Sequence, residues 1–232
     1  MSRGTIHLLA GGRASIRAGR DPLLTQVLAE HPSLAYVGAA SEDNRTFFTM
    51  ISTYLKSCGA GRITLVPLAG RKGDPAKARA ILESADLVFV SGGDVEAGMA
   101  VLEARGMCDF LRDLCAAGKP ILGLSAGSVM IGSQWVRWED PDDDASACLF
   151  PCLGLAPLAC DTHAEGDGWE ELRVFLSLGP DGSIAYGIPS GGALRVRPDG
   201  RLEALGAPIC RFARRKGVVR REDDLELQDG RS

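Results

Sequence analysis

Ser125 is the side chain in this sequence best placed to attack a carbonyl. It stands at the centre of Gly123-Leu124-Ser125-Ala126-Gly127, with the apolar run Pro120-Ile121-Leu122 before it and Ser128-Val129-Met130-Ile131 after it. The first run reads as a buried strand and the second as the start of a helix, so Gly-x-Ser-x-Gly has the strand-to-helix context of a nucleophile elbow. A strand that turns sharply into a helix puts its turn residue in a strained backbone conformation. The flanking glycines give room where a Cβ would meet a neighbouring strand or helix. The hydroxyl is then held at the carboxyl edge of a sheet, and the N–H of Ala126, at the amino end of the helix, is a free donor for an oxyanion. The same letters also suit a close-packed β-α turn with no chemistry; the strand and helix around them favour the catalytic reading.

An attacking serine needs a base, and the chain has three histidines. His7 falls inside the first apolar run and His31 precedes Pro32 at a helix end, positions that suit structural roles. His163 follows a strand-like segment and opens the polar, glycine-rich loop Ala164-Glu165-Gly166-Asp167-Gly168, which leaves it as the base by elimination. The base in turn needs a carboxylate to orient it. The acidic segment between nucleophile and histidine is Glu139-Asp140-Pro141-Asp142-Asp143-Asp144, so Asp140 or Glu139 is the candidate, although a run of acids is also what a solvated loop looks like. A second oxyanion donor is expected from Ser91-Gly92-Gly93-Asp94, where paired glycines let a main-chain N–H approach a substrate oxygen; the competing reading is a tight turn capped by Asp94.

These groups must be carried by a regular frame. Strands are expected at Thr5 to Leu9, Leu34 to Ala39, Ile63 to Pro67, Asp86 to Val90 and in the run before the elbow. Helices are expected from Asp21-Pro22, over Ser41 to Lys56, from Asp74-Pro75, and over Val95 to Arg105 and Met107 to Ala117. This alternation predicts an α/β, three-layer doubly wound, mainly parallel sheet, with ligands beyond the carboxyl ends of its strands. Ala10-Gly11-Gly12-Arg13 lacks the full phosphate-binding pattern and reads as a loop lining a cleft. Towards the C-terminus a helix over Trp169 to Leu176 precedes strands near Ile184, Ala193 and Leu202, with Pro198-Asp199-Gly200 as a hairpin turn. Arg211 to Ser232 reads as a stretch charged with mixed sign that frays at its end, its basic residues forming a solvated face rather than a nucleic-acid site.

With 232 residues, 45% of them hydrophobic, one domain spanning 1–232 is sufficient. A net charge of −4 lacks the basic footprint of a nucleic-acid binder. The first apolar run is too short for a secretory signal and no stretch approaches a membrane span, so a cytoplasmic protein with no membrane partner is expected. The seven cysteines are odd in number, with no Cys-x-x-Cys pair and no histidines at metal spacing, so neither disulfides nor a metal is expected.

Taken together, Ala85 to Asp94, Gly123 to Ser128, and Leu153 to Pro157 leading to Asp161-Thr162-His163 resemble the dipeptidase E (aspartyl dipeptidase) and cyanophycinase family of serine peptidases. The fold of that family is related to the class I glutamine amidotransferases. The resemblance implies Ser125 as nucleophile, His163 as base, and the N–H groups of Gly93 and Ala126 as the oxyanion hole. It favours Asp140 as the orienting acid, with Glu139 next, because the segment that carries a glutamate in cyanophycinases is here Gly187-Ile188-Pro189-Ser190. Arginines that hold an acidic substrate side chain in family members have no counterpart between His163 and Glu171. The expected activity is cleavage of a peptide or amide bond in a small peptide through an acyl-enzyme, without cofactor, with a homodimer as the family-implied assembly. The rivals are an esterase of the α/β-hydrolase fold and a binder of amino-acid-like ligands that has lost turnover.

Overall fold

Four-residue apolar runs separated by helical stretches can only be buried side by side in a sheet covered on both faces. The structure, a computed structural model describing residues 3–11, 19–140 and 142–227, forms that sheet. Strands β1 (Ile6–Leu9), β2 (Leu34–Val37), β3 (Ile63–Val66), β4 (Leu87–Val90) and β5 (Ile121–Leu124) are parallel where they pair. They alternate with helices α1 (Pro22–Val27), α2 (Arg45–Ser57), α3 (Pro75–Ser84), α4 (Val95–Ala104) and α5 (Cys108–Ala116), and α6 (Ala126–Ile131) follows β5. Asp21 and Asp74 cap α1 and α3 as their Asp-Pro pairs predict: Asp21 accepts from the Leu23 and Leu24 amides, Asp74 from that of Lys77.

Successive residues of one strand point to opposite faces, and the core divides accordingly. Leu34, Tyr36, Leu87 and Phe89 pack with Leu24 of α1 and Ile51 and Leu55 of α2. Ala35, Val37, Val88 and Val90 pack with Leu82 of α3, Leu102 of α4, Leu111 of α5 and Met130 of α6. The result is three layers with β5 in the middle of the sheet.

Later elements extend this frame in ways the sequence only partly shows. The β6 (Gln134–Trp138) and β7 (Ala147–Pro151) strands form a separate antiparallel pair, and the acids lie in its turn. β8 (Ala159–Thr162) leads to the histidine loop and α7 (Glu170–Leu178) follows it. β10 (Ala193–Val196) and β11 (Leu202–Leu205) form the expected hairpin, which lengthens the main sheet to seven strands in the order β11-β10-β1-β5-β4-β2-β3. β9 (Ile184–Ile188), in contrast, belongs to a second sheet, ordered β13-β12-β9-β8, with β12 (Cys210–Arg215) and β13 (Val218–Arg221).

These last two strands give order to the first part of the charged stretch that begins at Arg211. Phe212 and Ala213 are buried, while Arg211 and Arg214 are only partly so. Arg214 donates to the carbonyls of Ser177 and Gly179, and Arg211 and Arg215 both pair with Glu222. Arg211 and Arg214 are thus tied to the fold, while Arg215, Arg220 and Arg221 stand on an exposed face. Residues 228–232, and Gly12 and Arg13 of the glycine loop, lie outside the described residues.

Candidate functional site

β5 ends at Leu124 and α6 begins at Ala126, so the whole change of direction falls on Ser125. Its φ of 54° and ψ of −126° are a strained combination for a residue with a side chain. The flanking glycines are fixed by close packing. A Cβ on Gly127 would lie 2.1 Å from the Val90 carbonyl oxygen, and one on Gly123 would lie 2.8 Å from the Ser128 nitrogen. The turn is pinned from below: the Ser125 N–H donates to the Leu9 carbonyl at 3.0 Å, and the buried Ser128 hydroxyl donates to the same carbonyl at 2.9 Å.

His163 reaches this turn from the second sheet. β8 runs parallel to β9 with Thr162 opposite Ile188, and the His163 N–H donates to the Ile188 carbonyl at 2.9 Å. A positive φ of 47° at His163 then turns its side chain back towards the elbow. Ser125 Oγ lies 2.8 Å from His163 Nε2. With the proton on Nδ1, Nε2 accepts from the hydroxyl, the arrangement a general base requires.

Donors for a negative oxygen flank the pair. Ala126 is the first residue of α6, so its N–H has no acceptor within the helix. On the other side the β4 strand empties into Gly92-Gly93, and a Cβ on Gly92 would lie 3.3 Å from that of Ser125. Gly93 has φ 146°, and a Cβ there would fall 2.0 Å from the Ala40 carbonyl oxygen, so only glycine fits. Among the described residues no main-chain acceptor takes the Gly93 N–H. Asp94 also fills its competing role, accepting from the Ala97 amide as the cap of α4.

Asp140 is not brought to this pair. The β6–β7 pairing runs as far as Trp138 opposite Ala147 and leaves the acids in the turn beyond. There Asp140 is exposed, its Oδ1 accepts from the Asp142 amide at 3.0 Å, and its own N–H donates to Ser146 Oγ. Glu139 is likewise exposed in that turn. Among the described residues neither Asp140, the expected orienting acid, nor Glu139 is hydrogen-bonded to His163.

A carboxylate that feels the charge of His163 is Glu165, two residues along the same loop. Its Oε1 accepts from the Ser190 N–H at 3.0 Å. Burial acts to raise its pKa, but the hydrogen bonds from Ser190 and the nearby charge of His163 outweigh it and hold the carboxyl below its ordinary value. Ser190, in the segment Gly187-Ile188-Pro189-Ser190, thus donates its main-chain N–H to a carboxylate from the histidine's own loop. The spacing His163-Ala164-Glu165 was its only trace in the sequence.

One more acid lies beneath the loop. Asp161 is 8% exposed, and burial, with repulsion from Glu171 and Asp167, raises its pKa to about 7, against the single Thr162 N–H that favours the anion. Because the folded value lies above the unfolded one, the stability linked to this group is complete below about pH 4 and is lost as pH rises through about 7. In urea titrations, Asp161→Asn should therefore gain up to about 4 kcal/mol on the parent at pH 8 and almost nothing at pH 4. An equal gain at both pH values would refute the assignment. Among the described residues no three His, Cys, Asp or Glu side chains converge as metal ligands do.

Known proteins share this architecture. A peptidase from an acI-B1 actinobacterium superimposes with a TM-score of 0.71 over 98% of this chain and 96% of its own, at 16% identity. Peptidase E of Streptomyces coelicolor is 28% identical over 96% of this chain and 88% of its own length. Peptidase E of Haemophilus influenzae is also 28% identical, but that match spans 51% of this chain and 58% of the relative. The family model "Peptidase family S51" matches residues 7–202, from the first strand of the sheet through the elbow and the histidine loop to the C-terminal hairpin, and the chain belongs to that peptidase family.

Proposed function

We propose that this protein is a serine hydrolase of the peptidase E type, which cleaves a peptide or amide bond of a small peptide through an acyl-enzyme on Ser125. The observation that carries the reading is the 2.8 Å separation of Ser125 Oγ and His163 Nε2 at a positive-φ elbow. His163 takes the hydroxyl proton as Oγ attacks the scissile carbonyl, and the N–H groups of Ala126 and Gly93 hold the resulting oxyanion. The imidazolium passes its proton to the leaving amine, and water then repeats the sequence on the acyl-enzyme. Glu165 acts as a positioning residue: anchored by Ser190, it sets an anion beside the imidazolium that forms in each half-reaction.

Labelling with a fluorophosphonate probe tests the whole arrangement. The probe should react once per chain, at Ser125, and His163→Ala should abolish the reaction. Glu165→Gln should slow it by about 10- to 100-fold, Glu165→Asp should restore part of the rate, and Asp140→Asn should leave it unchanged. Labelling elsewhere, or undiminished in His163→Ala, would end the hydrolase reading; loss of rate in Asp140→Asn alone would return the orienting role to Asp140.

A further inference from the structure

Ser91, the residue that follows β4, takes no part in the proton transfers, yet its side chain is 0% exposed. A hydroxyl withdrawn from water is unfavourable unless it finds a partner. The partner of Ser91 Oγ is the carbonyl of the next residue, Gly92, to which it donates at 3.3 Å. This is long for an O–H···O bond, which is usually about 2.7 to 2.8 Å. Beside it lies the Tyr36 hydroxyl, also buried and without a formed hydrogen bond among the described residues. Burial pushes that phenol up to about 12, so it keeps its proton and can meet Ser91 as a donor. The serine's own proton is then left for the Gly92 carbonyl.

That carbonyl shares a peptide unit with the Gly93 N–H. The unit is planar and trans, so its C=O and N–H point in opposite directions, and fixing one aims the other. The chain is held before and after this unit: the Ser91 N–H donates to the Val37 carbonyl at 3.0 Å, and the Asp94 N–H to the Ala40 carbonyl at 2.8 Å. Between them, neither the Gly92 carbonyl nor the Gly93 N–H has a main-chain partner among the described residues. A peptide between two glycines is also the least hindered from rotating. Because Gly92 stands against Ser125, a turned-over unit would present its oxygen where negative charge develops, in place of a donor.

We propose that Ser91 is a positioning residue of the oxyanion hole: its hydroxyl holds the Gly92 carbonyl and thereby aims the Gly93 N–H at the oxyanion. The inference rests on the hydrolase reading for the chemistry, and on the hydrogen bond from a buried hydroxyl to this peptide unit for the positioning. Timed labelling with the fluorophosphonate probe tests it, because the phosphonylated serine also places an oxygen in the oxyanion hole. Ser91→Ala should lower the limiting rate of labelling about ten-fold, less than the 100- to 1,000-fold that follows loss of a direct donor. The probe concentration at half-maximal rate should stay the same, because the donors act on the transition state and not on the bound probe.

Ser91→Thr, which keeps the hydroxyl, should recover most of the rate. The pH midpoint of labelling, set by His163, should be the same in the parent and both variants, whereas a general disturbance of the elbow would move it. Independently of any reaction, the backbone amide order parameter of Gly93 from NMR relaxation should fall in Ser91→Ala, while that of Gly123, in β5, should not. An unchanged limiting rate in Ser91→Ala would overturn the proposal, as would a loss that appears in the half-maximal concentration instead. So would a Ser91→Thr protein as slow as the alanine variant at an unaltered urea midpoint, or a Gly93 amide indifferent to Ser91→Ala. If the parent were not labelled at Ser125 while Gly93 loosened in Ser91→Ala, the hydrolase reading would fall and the pinned peptide would stand.

Discussion

Ser125→Ala is expected to lower kcat/KM for peptide hydrolysis by about 10⁴-fold or more, while its urea midpoint stays near that of the parent. Alanine removes the attacking oxygen and little else, since the elbow is pinned by the Leu9 carbonyl and by packing against Gly123 and Gly127, not by the hydroxyl. His163→Ala should fall to a similar level. The double variant should be no worse than either alone, because a nucleophile without its base and a base without its nucleophile are equally idle. Losses that multiply in the double variant would mean that the two side chains act independently, and the 2.8 Å contact between them would then have no mechanistic weight.

The second large effect is on stability. Gly127→Ala places a methyl group 2.1 Å from the main-chain oxygen of Val90, inside the central sheet where no flexible side chain can move aside. A cost of about 3 kcal/mol or more in chemical denaturation follows, at the severe end for overpacking. Gly166→Ala is the matched control: a Cβ there meets nothing within 4 Å, and its φ lies outside the left-handed region. It should stay within about 0.5 kcal/mol of the parent. If Gly127→Ala were as mild as Gly166→Ala, the glycines of the elbow would have no steric reason to be there.

How far the site could be read in advance depended on whether its signals were local. The elbow has a five-residue pattern bounded by apolar runs, and the Asp-Pro starts of α1 and α3 satisfy their own amides, so both were legible. His163 could be singled out because only three histidines exist. The orienting acid proposed here, Glu165, could not, because its setting depends on the parallel pairing of β8 with β9, which brings Ser190 to the histidine loop from 25 residues away. With that pairing unseen, the richest acidic run drew attention, and it proved to be a turn that satisfies itself. The strands from Cys210 to Arg221 were hidden for a related reason: their arginines pair with Glu222 and cover main-chain carbonyls, which composition alone reads as a solvated tail.

That small second sheet has a consequence for the way the two halves of the chemistry are inherited along the chain. The family match stops at residue 202, yet β9, whose Ile188 carbonyl anchors the histidine, is flanked on its far side by β12, which begins at Cys210. A chain cut short before that point would retain Ser125 on an intact central platform while His163 rested on a two-strand ribbon with one side bare. The loop that carries His163 is thus supported by a stretch that lies beyond the residues matched by the family model and lends it no side chain for the proposed reaction.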